Sequence, residues 1–323
     1  MSTLTGTPAV TPQSPLHQRF LAWMGERFPF ANALLFFILY LATAAIARAT
    51  LEGQIQVSAM DLAACLVTWS FFLVLRIFDE HKDYELDCRN HPDRILQSGL
   101  ITLNHLKIAG ALALTAQVLW SLWLDGGIGQ TTTAWLMMFG WTCLMGKEFF
   151  IGEWLTRHLT TYAISHMLVM PLIVWWLANL AVPGLAYSPT LGILMGLAFV
   201  SGFCFEITRK TKGPEEERDT VDSYSRVFSV RGAALIVMAL VTGMVLNQAW
   251  LILDLTDRFP IWAAVALLMF WLMTITQLAR FRTAPSAKGR EKNEAFVALT
   301  MLAGYAVLIA VVLTDRGPAL SLL

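Results

Sequence analysis

Charged residues are scarce: Asp, Glu, Lys and Arg make up 14% of the 323 residues, against 56% hydrophobic, where an ordinary soluble domain carries about 25% charge. Water is therefore not the main solvent of this chain. A net charge is also missing, since 23 basic residues balance 23 acidic ones. A nucleic-acid binder needs a basic footprint for phosphates, so that class is excluded. Only four cysteines occur, at Cys65, Cys88, Cys143 and Cys204. None forms a CxxC pair, which removes a thiolate metal site and a disulfide framework and leaves small apolar fillers. The first sixteen residues lack Lys and Arg and are rich in Ser, Thr, Pro and Gly. Such a composition cannot bury enough apolar surface to fold alone, so residues 1–27 are expected to form a disordered to amphipathic N-terminal segment ahead of one domain over 28–323. The run Ala44 to Ala49 has the small residues of a signal-peptidase site, but the polar stretch before the first apolar run is too long for a secretory leader, and the first helix is expected to stay.

What is present is length in apolar runs. A membrane span needs about 20 mainly apolar residues. Nine segments qualify, at 28–47, 58–78, 105–124, 131–150, 160–182, 188–208, 231–253, 260–280 and 294–313. No ten-residue alternation of barrel strands occurs, so the spans are expected to be helical and the fold an all-α bundle of about nine transmembrane helices around a central cavity. With the N-terminus inside, 20 of the 23 basic residues fall in inside segments and only Arg48, Arg258 and Arg316 outside. The positive-inside rule turns that bias into a cytoplasmic N-terminus, and an odd number of spans puts the C-terminus outside. The expected location is an integral, bacterial-type inner membrane. Gly192 and Gly196 in the sixth span form a GxxxG, which suits close helix packing.

Two long polar connections, 79–104 and 209–230, follow the second and sixth spans on the inside face, where a membrane enzyme would hold its chemistry. The first reads DEHKDYELDCRNHPDRILQSG from Asp79. Asp79, Asp83 and Asp87 recur every four residues, so on a continuous helix they share a face with Glu80 beside them. Stacked carboxylates repel and invite a cation, and hard oxygen donors suit Mg²⁺ bridged to phosphate oxygens. The same residues also read as a solvated helix end, balanced by Lys82 and Arg89; spacing alone leaves both readings open.

The segment resembles the first aspartate-rich motif of the UbiA-type intramembrane prenyltransferase superfamily, N-D-x-x-D-x-x-x-D followed by P-x-R and S-G. Asp79 stands at the Asn, Glu80 at the first Asp, Asp83 and Asp87 at the next two, and Pro92, Arg94, Ser98 and Gly99 at the downstream positions. The resemblance implies a nine-helix bundle. It also implies a Mg²⁺ cofactor held by Asp79, Glu80, Asp83 and Asp87 against the diphosphate of an isoprenyl diphosphate donor, with Arg94 on the same group and a catalytic role for Asp83 and Asp87. Asp for Asn and Glu for Asp keep oxygen ligands but add charge and reach.

The family's second motif, at the end of the sixth helix, is matched only in part. Glu206 stands where it begins, as a further metal and catalytic candidate, but Arg209 and Lys210 follow, then Glu215, Glu216 and Glu217. Arg209 and Lys210 would bind diphosphate oxygens directly, or else serve as positive-inside residues paired with the Glu run. Glu206 lies inside the apolar segment, where an ionisable residue is costly and is usually functional. Lys147, ending the fourth span beside Glu148, matches one residue of a Lys-Arg pair and is a further diphosphate-binding candidate. His166 in the fifth span reads as a buried hydrogen-bonded histidine or an acceptor-site residue. The leading function is a Mg²⁺-dependent prenyltransferase with an unidentified acceptor, working among membrane lipid. The alternatives are a membrane terpene cyclase acting on the donor alone, a non-catalytic lipid-binding relative, and a transporter, against which the one-sided acidic residues and the lack of an internal repeat speak.

Overall fold

The computed structural model describes residues 10–51, 54–218 and 222–320. An amphipathic helix α1 (Leu16–Arg27) precedes α2 (Ala33–Ala49), α3 (Ala59–Lys82), the short α4 (Tyr84–Asn90), α5 (Leu103–Asp125), α6 (Gln130–Gly146) and the short α7 (Gly152–Thr156). The chain continues through α8 (Leu159–Met167), α9 (Val169–Ala181), α10 (Pro189–Arg209), α11 (Tyr224–Leu255), α12 (Ile261–Thr283) and α13 (Ala287–Arg316). Among the described residues eight helical segments are long and apolar enough to cross a membrane. The fourth expected span is the 17-residue α6, which falls just short of that length. The protein is an all-α membrane bundle, with eight helices of spanning length among the described residues where nine spans were expected.

Local sequence explains where the helices start and break. Ser58 caps α3 in a reciprocal box, its hydroxyl accepting from Met60 N–H at 3.2 Å while Asp61 accepts from Ser58 N–H at 3.0 Å. Ser188, Ser223 and Ser286 cap α10, α11 and α13 with the hydroxyl alone, which accepts a backbone N–H of the first turn. Pro171 explains the break between α8 and α9 at Leu168, because it has no N–H for the carbonyl four residues earlier. Inside α11, Ser229 adopts φ 61°, so the long straight run begins just after it, where the seventh span was expected to start. The fourth span was expected to reach residue 150, but the helix stops at Gly146. Glu148, Phe149 and Phe150 follow with φ of 47°, 53° and 59°, a left-handed run that non-glycine residues enter at a cost of about 1–2 kcal/mol each.

The long helices close a ring in chain order. Each of α3, α5, α6, α9, α10, α11, α12 and α13 packs on the next, α13 packs on α2, and α2 packs on α3 and inward on α9. The main core lies inside this ring around Ile46, Phe71, Trp176, Leu194 and Leu308. β1 (Ile55–Val57) and β2 (Pro318–Leu320) pair in parallel, tying the end of the chain to the turn after α2. At the N-terminal end of α3, Asp61 is gripped by Arg48 at 2.8 and 3.0 Å and accepts from the Tyr40 hydroxyl at 2.7 Å. Removing one partner of a buried pair costs about 3–5 kcal/mol. Asp61→Ala is therefore expected to lower the unfolding free energy of the detergent-solubilised protein by that amount in a chemical melt. A loss below about 1 kcal/mol would show that the pair is solvated.

Residues 16–27, expected to be disordered or amphipathic, form the helix α1, which buries Trp23 and Met24 against Leu73, Ile77, Leu96, Ile101 and Leu106. Residues 1–9 of the expected tail lie outside the described residues. All four cysteines are free, with Cys65 and Cys204 buried. Gly196 of the GxxxG faces Asn247 on α11, with its missing Cβ position 3.6 Å from the amide, whereas Gly192 lies under the Tyr187 ring.

Candidate active site

A cavity of about 490 Å³ opens at the end of the bundle where α3, α6 and α10 finish and α8 begins. Its size suits a small-molecule site. Asp79, Lys82 and Asp83 line it from α3, Glu206, Arg209 and Lys210 from α10, and Tyr162 and His166 from α8. Phe72, Leu75, Phe78, Met145, Met167 and Met170 form its apolar part. The two polar connections singled out in the sequence thus meet at one cavity, although their carboxylates do not all enter it.

Asp79 and Asp83 lie one turn apart on the wall, and among the described residues neither carboxylate is in an ion pair or a side-chain hydrogen bond. Glu80 and Asp87 were expected on the same face and are not among the lining residues. The chain leaves helical geometry at Asp83 (φ −95°, ψ 5°) before α4 begins, so the four-residue spacing does not carry through to Asp87. Glu80 is buried and accepts from Arg27 Nε at 2.6 Å and from Arg76 Nε at 2.9 Å. Asp87 pairs with Arg94 at 2.9 Å and with Arg27 at 3.3 Å. Arg94, expected on the diphosphate, therefore belongs to this second cluster, where it also approaches Glu26 at 3.8 Å.

At the other wall Glu206 is held between Arg209 Nη2 at 2.8 Å and Lys210 Nζ at 2.9 Å. Both cations line the cavity, and they pair with Glu206 rather than with the Glu run. Glu216 instead binds Arg290 at 2.8 Å and Glu217 accepts from Ser223. Glu215 accepts from the Ala287 N–H, which holds its carboxyl below the usual range. These bonds fasten the loop after α10 to the start of α13. Lys147 is exposed at the end of α6 and does not line the cavity.

Sequence reasoning missed Lys82 and Tyr162. The Lys82 ammonium donates to the Tyr162 hydroxyl at 2.9 Å and lies 3.8 Å from Glu148, which the left-handed run after α6 delivers. The ammoniums of Lys82 and Lys210 lie 5.6 and 5.3 Å from the centre of the Tyr162 ring, so one aromatic ring serves two cations from two helices. His166 stacks on Tyr162 at 4.0 Å, and its Nδ1 is bonded to the Tyr162 carbonyl at 2.8 Å. Lys82 had a signal, because it sits between the two wall aspartates in sequence; Tyr162 had none beyond its place one turn before His166. The cavity thus carries Arg76, Lys82, Arg209 and Lys210 against Asp79, Asp83 and Glu206. A wall of alternating sign can hold an anion and its counter-ion together.

No family model and no curated protein matches the chain. A solved structure reported for its insights into digeranylgeranylglyceryl phosphate synthase in membranes, an enzyme of the UbiA-type intramembrane prenyltransferases, aligns over 92% of this chain and 99% of its own with a TM-score of 0.64, at 17% identity. The chain has the fold of the UbiA-type intramembrane prenyltransferases. The resemblance carried by the segment from Asp79 to Gly99 holds at the level of the whole bundle.

Proposed function

We propose that the protein is a Mg²⁺-dependent intramembrane prenyltransferase that takes an isoprenyl diphosphate donor into the cavity, transferring the prenyl group to an acceptor. The observation that carries the reading is the cavity's two-ended chemistry. Charged residues of both signs gather at the helix ends, and Phe72, Leu75, Phe78 and the methionines continue from them into the bundle. A donor with a diphosphate at one end and an apolar chain at the other fits that order. The digeranylgeranylglyceryl phosphate synthase that shares the fold is a prenyl-transferring enzyme, and the charged end faces the cytoplasm by the positive-inside bias.

Asp79 and Asp83 are the residues that would hold Mg²⁺, because among the described residues no Arg or Lys closes an ion pair on their carboxylates, and this ion commonly uses one or two carboxylates plus substrate phosphates. Once bound, the metal would neutralise the diphosphate oxygens and favour their departure. Lys82, Arg209 and Lys210 bind the same oxygens directly, as charge-assisted donors. The carbon–oxygen bond breaks with its electron pair going to the diphosphate. The Phe72 and Phe78 rings offer π faces to the allylic cation, and the acceptor bonds to that carbon and releases a proton.

The test is a donor-consumption assay on protein reconstituted in lipid, with labelled isoprenyl diphosphates of graded length, with and without Mg²⁺ and a membrane-lipid acceptor extract. Diphosphate release that needs both Mg²⁺ and acceptor is the expected result. A hydrocarbon or terpene alcohol from donor alone would make the enzyme a cyclase, and no consumption under any condition would leave a binding protein.

A further inference from the structure

Glu80 and Asp87 stand three residues before and four residues after Asp83, and one side chain from a distant part of the chain holds both. Arg27, the last residue of α1, gives Nε to Glu80 at 2.6 Å and Nη2 to Asp87 at 3.3 Å. It thereby bridges the end of α3 and the start of α4 across the break at Asp83. The bridge is itself anchored. Arg76 joins it at Glu80 and Arg94 at Asp87, while Glu26 accepts from the Ile95 N–H at 2.9 Å and Trp23, one turn earlier on α1, is fully buried. Among the described residues the second carboxylate oxygen of Glu80 has no hydrogen-bond partner in its buried setting, so Arg27 and Arg76 at the first oxygen offset its charge.

We propose that Arg27 is a positioning residue: by clamping Glu80 and Asp87 on either side of the break, it fixes the turn that aims Asp83 into the cavity beside Asp79. The inference rests on the prenyltransferase reading for the role of that pair. It assigns the two motif carboxylates that miss the cavity to a clamp rather than to metal ligation, and it gives the amphipathic α1 a part in the site. An ion pair between flexible side chains in water would hold nothing, but Glu80 is 1% exposed and the Arg27 side chain is largely buried, at 17% exposed. Loss of the clamp leaves Asp83 on an unsupported turn, and a metal site built from two carboxylates is sensitive to the direction of each.

The test measures Mn²⁺ affinity by electron paramagnetic resonance in the presence of inorganic diphosphate, on the full chain in nanodiscs, for the parent, Arg27→Met, Arg27→Lys and Asp87→Asn. Hydrogen exchange over Tyr84–Asn90 is followed alongside. Arg27→Met is expected to weaken Mn²⁺ about tenfold and to speed exchange in α4, with Arg27→Lys in between. Asp87→Asn, which keeps the Arg27–Glu80 contact, is expected to lose less than Arg27→Met, and it stands in if Arg27→Met does not fold. Affinity that is unchanged while exchange quickens would make Arg27 merely structural. Affinity that rises in Arg27→Met would mean that the freed Asp87 is a ligand; either result overturns the proposal. Turnover is not needed for this reading, so a protein that consumes no donor yet shows the Mn²⁺ shift would sink the transferase and leave the clamp standing.

Discussion

Asp79→Asn and Asp83→Asn are each expected to lower donor turnover by about 10²–10³ fold, and raising Mg²⁺ is not expected to restore it. That factor is the range found when one preorganised electrostatic contact to a developing charge is removed. Among the described residues these two carboxylates line the cavity without a direct ion pair, whereas Glu206 is held by Arg209 and Lys210, so removing either takes away metal-binding capacity that a paired Glu206 does not replace. Asparagine keeps the shape and an oxygen, which makes the change one of charge. Asp87→Asn should behave differently, because its partners are Arg94 and Arg27: part of its lost activity should return at high Mg²⁺. Measuring diphosphate release across a Mg²⁺ titration separates the cases. Full activity in both wall variants would return Asp79 and Asp83 to the status of a solvated helix end.

The second large effect is on donor binding. Lys210→Ala and Arg209→Ala are expected to weaken a non-reacting donor analogue by roughly 10- to 150-fold each, the equivalent of about 1.5–3 kcal/mol for a hydrogen bond to a charged group. Lys210 should sit at the upper end, since its side chain is 23% exposed against 56% for Arg209 and it also faces the Tyr162 ring. Both variants leave Glu206 with one cation instead of two, so a carboxylate that is neutralised in the parent would face the diphosphate. Glu206→Gln removes that repulsion and should leave analogue affinity equal to or better than the parent's at low Mg²⁺. Analogue affinity by filtration or calorimetry decides it. Parent-like binding in both basic variants would make Arg209 and Lys210 topological charges only.

Much of this architecture was legible in the sequence, because spans are set by the thickness of lipid and the apolar runs are long. Expected and observed ends agree within a few residues for α5, α10 and α12. The misses have local causes. At the fourth span, hydropathy ran on through Phe149 and Phe150, which are apolar but sit in a left-handed run. Toward the C-terminal end of the motif, spacing placed Asp87 on the face of Asp83 only if the helix were continuous, and it breaks at Asp83 itself. Which carboxylates would stay free was a tertiary question. Arg27 lies more than fifty positions before Glu80 and takes it by a contact that no spacing rule contains. The partners of Glu206 were legible by contrast, since Arg209 and Lys210 follow it by three and four residues on one helix.

The ring of helices has a consequence for how the chain is made. Because each helix packs on its sequence neighbour, every span that enters the bilayer finds its partner already there, and most of the bundle can assemble as it is synthesised. Among the contacts that must wait are α13 against α2 and the parallel pairing of β2 with β1. Both join the last stretch of chain to one of the first. The loop after α10 that carries Glu216 to Arg290 waits for the same helix. The closing seam therefore forms only after α13 has been inserted, and a chain cut before α13 would leave α2 with one flank open to lipid and the loop after Lys210 without its anchor.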